Sequence, residues 1–334
     1  MMSLRGAQAT KQSRKAWIAA ASDLTKTDNL MNIIFFGTSE FALPALRKLY
    51  ENDFKIAGVV TQPDRPAGRD LRPQSSPVKE EALKLRLPIL QPDHLPSTTY
   101  PLPEADLYIV ASYGIIIPKK ILDIPKLGAL NIHPSLLPKY RGPSPIQTAI
   151  LNGDAETGVT IMKLDEKMDH GPIVAQEALP IQRKGFTKLH DELARLGAKL
   201  LIDVLSKYET GEIEPSAQND AKATFTKNIS KDMGRIDWSK SADLIERQVR
   251  AYEGWPVAWT MQGQRLLKIH AAKAVESKWS SGAPGDIMEA TKKLTVKCGE
   301  RSLEITSLQP ESGRKMTSEE FIRGARGLLG KRLG

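Results

Sequence analysis

The feature that most constrains this chain is a series of short, wholly apolar runs set between helical and turn-like stretches. IIFF at 33–36 passes through Gly37 into the helical pattern EFALPALRKL, with Thr38 or Ser39 expected as its cap. FKIAGVVTQ then reads as a strand, SPVKEEALKLRL as a helix, PIL as a short strand, ADLYIVASYG as a strand, PKKILDIP as a helical turn and GALNIH as a strand. The strands show no alternation of apolar and polar residues, so both of their faces are buried. Alternating β and α elements with such strands predict an α/β doubly wound (Rossmann-like) parallel sheet, whose ligands sit at the carboxyl ends of the strands. The turn after the first strand is GTSE and lacks the three glycines of a dinucleotide fingerprint, which argues against hydride-transfer chemistry.

Further along, a helix is expected at 144–152, two strands at 158–163 and 172–179, and a long amphipathic helix over TKLHDELARLGAKLLIDVLSKYETG, closed by Gly211. Residues 212–232 are polar and mixed and read as a linker. After a helix at 241–252, five closely spaced strand candidates (VAWTMQG, QRLLKIHAAKAV, GDIMEA, KLTVKCG and SLEITSLQP) predict a small C-terminal β-barrel, OB-like in type. The expected organisation is an extension at 1–30, a catalytic domain at 31–211, a linker at 212–232 and an OB-like domain at 233–334.

Charge sorts these regions. The formal net charge of +9 divides into +3 for residues 1–30, 0 for 31–230 and +6 for 231–334. A neutral first domain joined to a basic second one suggests small-molecule chemistry in the first and a polyanion, most simply nucleic acid, at the second. A lysine-rich solvated surface is the plainer account of the same excess. The single cysteine, Cys298, rules out an internal disulfide, and five scattered histidines offer no zinc-ligand spacing, so no metal is expected. The longest apolar run, YIVASYGIII at 108–117, falls short of the ~20 residues that span a bilayer, so no membrane contact is expected. Residues 1–30 precede Met31, where a strand begins at once, and read as a misassigned start or a transit-like Arg/Ser segment. Cytoplasmic localisation follows, or organellar if that segment is a true transit sequence.

The stretch NIHPSLLPKYRG at 131–142 carries the chemistry. Asn131 and His133 stand two positions apart at a strand end, so both side chains leave one face. An uncharged amide donor and an imidazole aimed at one point suit a carbonyl oxygen that becomes an oxyanion. Asp169, in DEKMDHG between two strands, is a carboxylate able to orient the imidazole or to take a proton through a water. A lone Asn or His after a strand is ordinarily a turn or cap residue, and Asp169 before His170 and Gly171 is ordinary turn chemistry on the same spacing. His94, His170, His190 and His270 have weaker claims, and Ser135 lacks the glycine elbow of a nucleophile.

NIHPSLLPKYRG, followed by PIQTAILNGDAETGVTIMKLDEKMDHGPI and preceded by IIFFGTSEFALPALRKL, resembles the signature of the 10-formyltetrahydrofolate-dependent formyltransferases. Within that superfamily, VTQPDRPAGRDLRPQSSPVKEEA and GWPVAW resemble the members that act on methionyl-tRNA. The likeness covers about residues 31–330. It implies formyl transfer from 10-formyltetrahydrofolate to the α-amine of initiator methionyl-tRNA, with the oxyanion held by Asn131 and His133 and with Asp169 orienting His133 and assisting proton removal. It also implies folate contacts from Ser135, Leu136, Leu137 and Pro138, and from the backbone at Gly114 and Ile116. Arg69 matches a loop arginine that enters the tRNA acceptor end, and Phe41 a residue beside the methionyl side chain. The chain departs from the family in following PAGR with Asp70, Leu71 and Arg72 rather than Gly and several lysines, which makes that loop less basic. A monomer is expected. A sugar nucleotide or other small amine as acceptor, and hydrolysis of the formyl donor, are the competing activities; the loop at 63–77 and the +6 second domain weigh against them.

Overall fold

The computed structural model describes residues 31–67, 72–93, 95, 102–325 and 327–334. The segment 1–30, Arg69 and His94 therefore lie outside the described residues. Contacts divide the chain into two units, one running through Arg141 with Gly158–Leu179 and Asp191–Phe225, the other Gly142–Thr157, Pro180–His190 and Thr226–Gly334.

The strands of the first unit are β1 (Asn32–Gly37), β2 (Lys55–Val60), β3 (Arg65–Ala67), β4 (Arg72–Gln74), β5 (Ile89–Leu90), β6 (Leu107–Ala111), β7 (Ala129–His133), β8 (Glu156–Lys163) and β9 (Ile173–Pro180). Seven of them form one sheet in the order β5-β2-β1-β6-β7-β8-β9, with β3 and β4 paired separately as a hairpin. The pairs β5–β2, β2–β1, β1–β6 and β6–β7 are parallel, and β7–β8 is antiparallel. Strand order reverses about β1, so a crevice opens beyond the carboxyl ends of β1 and β6. Ile33, Phe35, Ile109 and Leu130 are fully buried, which is why these runs carry no polar residue.

Helices α1 (Leu43–Glu51), α2 (Pro77–Lys84) and α3 (Lys119–Leu122) follow their strands as the pattern predicts, and α4 (Pro145–Asn152) clusters with the second unit. The helix after β1 is not capped as expected. A 3-10 turn, Glu40–Ala42, precedes α1 and neither Thr38 nor Ser39 caps it. Their hydroxyls reach across to the end of β6 instead, Thr38 Oγ1 donating to the Tyr113 carbonyl (2.8 Å) and Ser39 Oγ to Ser112 Oγ (2.7 Å). Helix α5 (Phe186–Glu209) includes Gly197, where a Cβ would lie 2.6 Å from Ile132 Cγ2 and 3.1 Å from Val159 Cγ1. The glycine lets the helix backbone settle directly on β7 and β8.

Residues 212–225 are not a passive linker. They belong to the first unit and run along it, with Ser216 bridging Ile173 and Phe225 bridging Arg141. Few of their side chains are apolar, so hydropathy alone reads them as a loop; backbone and amide hydrogen bonds are what hold them down.

In the second unit, α6 (Ala242–Ala251) begins at Ser241, whose hydroxyl accepts from Leu244 N. Its buried face joins a core of Trp238, Ile245, Ile269, Val296, Leu303 and Ile305. Strands β10 (Ala258–Gln262), β11 (Arg265–Val275), β12 (Ile287–Ala290), β13 (Leu294–Lys297), β14 (Ser302–Pro310) and β15 (Met316–Thr317) form a six-stranded antiparallel sheet, β10-β11-β14-β13-β12 with β15 on β14, followed by α7 (Ser318–Gly324). Strand pairing among the described residues does not close it into the barrel expected from the sequence. The last residues cover both free edges instead: Leu333 bridges Gln262 beside β10, and Arg332 bridges Asp286 beside β12.

Candidate active site

Asn131 and His133 share one face of β7, while Leu130 and Ile132 turn to the other, where Gly197 brings α5 against Ile132. The antiparallel register sets His133 opposite Thr160 and Asn131 opposite Met162. His133 is 4 % exposed, and its Nε2 lies 3.0 Å from the Tyr140 carbonyl oxygen. A carbonyl only accepts, so Nε2 carries the hydrogen in this contact and the tautomer is fixed. The other ring edge, Nδ1, faces Asp169 Oδ1 at 3.6 Å. The ring is thus anchored on one side and free to exchange a proton on the side where the carboxylate stands.

Asp169 lies in the loop between β8 and β9 in a left-handed backbone conformation, φ 48°. Several groups hold that loop. Gly171 packs so closely that a Cβ there would meet the Lys163 carbonyl oxygen. Lys167 N donates to Asp165 Oδ1 (2.9 Å), and His170 Nδ1 pairs with Asp165 Oδ2 (2.6 Å). His170 Nε2 is 3.3 Å from Asp220 Oδ2, and Arg141 Nη2 is 2.7 Å from Asp220 Oδ1. The Arg141 guanidinium and, after it, His170 hold the Asp220 carboxyl below its usual range. His170, weakly supported by spacing, is therefore part of the frame around Asp169. Gln218 completes the frame, donating from Nε2 to the carbonyls of Asp169 (2.9 Å) and Gly171 (2.8 Å).

The loop after His133 is built around Thr160, which is fully buried. Its hydroxyl donates to the Ser135 carbonyl (2.6 Å) and accepts from Leu137 N (3.1 Å) and Gln176 Nε2 (2.8 Å). Gln176 Nε2 also donates to the Leu137 carbonyl at 2.8 Å. The Ser135 hydroxyl donates to the Lys139 carbonyl (2.6 Å) and has no exposure, so it fastens the loop from inside and is not presented to a ligand. Leu137 is buried, and Leu136 and Pro138 are half-buried. Tyr140, at φ 63°, donates from its N–H to Thr224 Oγ1 (2.8 Å), and Arg141 N donates to the Thr224 carbonyl (2.9 Å).

At the end of β6, Gly114 adopts φ 78°, and a Cβ there would come 2.6 Å from Gln62 Nε2, which itself donates to the Tyr113 carbonyl (2.8 Å). Two residues on, the Ile116 side chain is 86 % exposed. An exposed glycine backbone beside an exposed aliphatic side chain, one strand over from His133, suits the edge and face of a flat heteroaromatic ring. Phe41 is buried in the 3-10 turn. The structure thus brings His133 and Asp169 into contact and places Asn131 on the face of His133. Sequence reasoning missed Thr160, Gln176, Thr224, Gln218 and Arg141. Thr160 left a faint signal, a polar residue inside the apolar run GVTIMK, and Arg141 lay within the stretch singled out for Asn131 and His133; the other three left none.

Residues 31–205 match the family described as "Formyl transferase", and residues 228–326 match "Formyl transferase, C-terminal domain". The chain is 46 % identical over 310 residues to the methionyl-tRNA formyltransferase of Roseiflexus castenholzii, covering 91 % of this chain and 99 % of that protein. It is 47 % identical over 304 residues to the methionyl-tRNA formyltransferase of Chloroflexus aurantiacus, covering 88 % and 97 %. Among solved structures, an N-formyltransferase from Helicobacter canadensis in complex with folinic acid and dTDP-3-aminofucose superposes with a TM-score of 0.64 at 18 % identity, over 86 % of this chain and 100 % of that one. HypX from Aquifex aeolicus in complex with tetrahydrofolic acid superposes at 0.61 and 19 %, over 91 % of this chain and 49 % of that one. At such identities these two likenesses speak for the fold.

Proposed function

The chain belongs to the formyl transferase family, and on that basis we propose that it transfers the formyl group of 10-formyltetrahydrofolate to the α-amino group of methionyl initiator tRNA, giving N-formylmethionyl-tRNA for translation initiation. The observation that carries the reading is the His133–Asp169 pair beside Asn131 at the carboxyl end of β7. 10-Formyltetrahydrofolate supplies the formyl group. The α-amine attacks its carbon; Asn131 holds the oxygen as that carbon becomes tetrahedral, and so does His133 once Nδ1 carries a proton, its Nε2 hydrogen being kept by the Tyr140 carbonyl. Asp169 orients the Nδ1 edge of His133 and accepts the amine proton through a water; the bond from carbon to the folate nitrogen then breaks, and that nitrogen takes up the proton that Asp169 gives back. The protein contributes no nucleophile, so no covalent enzyme intermediate forms.

Gly114, Ile116 and the loop at 135–138 are proposed to bind the folate, with Ser135 acting through the loop it fastens. Arg69 is proposed for the tRNA acceptor end and Phe41 as a wall behind the methionyl group. The second unit, with its basic excess, is proposed as an OB-like surface for tRNA phosphates, acting in a cytoplasmic monomer. The test is incubation with 10-formyltetrahydrofolate and methionyl initiator tRNA, an amino-sugar nucleotide, or water alone as acceptor. Formylmethionyl-tRNA is the expected product; formylation of the sugar nucleotide without the tRNA, or hydrolysis alone, would overturn the assignment.

A further inference from the structure

We propose that Gln218, anchored by Arg141, is a positioning residue that sets the backbone from which Asp169 reaches His133; this rests on the reading of Asp169 as the carboxylate partner of His133. The Gln218 amide is used to capacity. Both of its N–H donors are spent on main-chain carbonyls, Asp169 at 2.9 Å and Gly171 at 2.8 Å. Its oxygen accepts from Arg141 Nε at 3.0 Å and Nη2 at 2.8 Å. Four bonds are all that a primary amide makes, and a side chain so committed has one orientation.

The two carbonyls it gathers flank His170, and Asp169, which owns the first of them, is held at φ 48°, a conformation that a residue with a Cβ adopts only when its surroundings dictate it. The Gln218 amide restrains that conformation at the residue's own carbonyl. Releasing the carbonyls frees the Asp169 peptide to relax toward negative φ, which swings the carboxylate off the Nδ1 edge it now faces at 3.6 Å. Arg141 gives the clamp its second half. Its side chain is buried at 4 % exposure, and it follows Tyr140, whose carbonyl holds His133 Nε2 at 3.0 Å. One path of bonds therefore runs from His133 Nε2 through Tyr140, Arg141 and Gln218 to Asp169. It ties the two loops that carry the pair and fixes their separation. The residue at its centre comes from a segment that contributes no group to the pair itself.

Three variants separate the possibilities. Gln218→Met keeps length and volume while removing all four bonds. Gln218→Glu keeps the acceptor that Arg141 needs and strengthens it by charge, but removes both donations. Asp169→Asn removes the carboxylate. Both Gln218 variants are expected to lower kcat by about 10- to 100-fold, the loss that a small displacement of a catalytic group produces, with KM for both substrates unchanged. On the Asp169→Asn background, Gln218→Met should cost no further activity, since the clamp has nothing left to aim. Wild-type kcat in both Gln218 variants while Asp169→Asn is impaired would overturn the clamp and leave the reading of Asp169 standing. An equal loss from Gln218→Met on either background would show a structural role and overturn it as well. Wild-type kcat in Asp169→Asn would overturn the reading of Asp169 and the clamp with it.

Discussion

Replacing Thr160 by valine tests whether the loop after His133 is held by one buried hydroxyl. Valine is β-branched like threonine and nearly the same shape, so the change falls chiefly on the hydrogen bonds. The hydroxyl makes every bond that its one donor and two lone pairs allow: to the Ser135 carbonyl, from Leu137 N and from Gln176 Nε2. Gln176 keeps its bond to the Leu137 carbonyl, so its loss is the ~1 kcal/mol of an ordinary neutral bond. The Ser135 carbonyl and Leu137 N–H are worse placed, because an unpaired buried group costs ~1–3 kcal/mol. The extra buried methyl returns ~0.8 kcal/mol. The balance is a destabilisation of roughly 2–6 kcal/mol. At ~2–4 °C per kcal/mol for a unit of this size, the unfolding midpoint should fall by roughly 5 °C or more. Thermal and urea unfolding followed by circular dichroism measure it, and steady-state kinetics should show a raised KM for the formyl donor, since the same loop is the proposed folate contact. A Thr160→Val protein within about 0.5 kcal/mol of the parent, the range of ordinary surface changes, would refute the claim that this hydroxyl fastens the loop.

Replacing His133 by alanine or Asp169 by asparagine should leave the circular dichroism spectrum unchanged and lower formyl transfer on the order of 100-fold or more, as read from formylmethionyl-tRNA formed; wild-type rates in either would remove that residue from the mechanism. Gly197→Ala gains ~1 kcal/mol of helix propensity but sets a methyl against Ile132 and Val159, both β-branched and stiff, at a cost of ~1–3 kcal/mol. It should therefore lose stability and slow the reaction by shifting β7, and a stabilised variant would contradict the close seating of α5. Burial pushes the Cys298 thiol from its ordinary 9.0 to about 12. The folded protein keeps that proton while the unfolded chain releases it, so this group's contribution to stability is constant below pH 9 and declines as pH rises through 9 toward 12. Cys298→Ala should flatten that part of the pH profile, and a thiol reagent at pH 8 should label Cys298 only after denaturant is added; rapid labelling of native protein would contradict its burial.

What the sequence disclosed follows from which forces leave a one-dimensional trace. Apolar burial does, because a strand covered on both faces can hold no polar residue, and IIFF, AGVV and LYIVA therefore announce a parallel sheet. Period-two geometry does as well, and it places Asn131 and His133 on one face of β7. Hydrogen bonds between distant polar groups leave none. Thr38 and Ser39 carry the composition of a helix cap, yet their hydroxyls serve Tyr113 and Ser112 some 75 and 73 positions away. Residues 212–225 read as a linker because nothing in them is apolar enough to dock, and they dock through Gln218, Asp220 and Thr224. In the second unit the strands were legible but their closure was not, because the edges are covered by four terminal residues with no strand-like pattern.

Backbone conformation at the site draws these threads together. Ser112 (φ 45°), Tyr140 (φ 63°) and Asp169 (φ 48°) are non-glycine residues in the left-handed region, and each lies in a loop at the carboxyl end of β6, β7 or β8. Each such residue costs of the order of 1–3 kcal/mol, which local sequence does not recover. Each is met by a bond from another segment: Ser39 to the Ser112 hydroxyl, Thr224 to the Tyr140 N–H, Gln218 to the Asp169 carbonyl. Strain at the strand ends and restraint from remote polar groups are therefore two sides of one design, in which the sheet sets where β6, β7 and β8 end and the remote bonds set how their loops turn. Relaxing one of these residues to negative φ without its restraint should be easy, so the three restraining side chains are where loss of activity without loss of fold is to be sought.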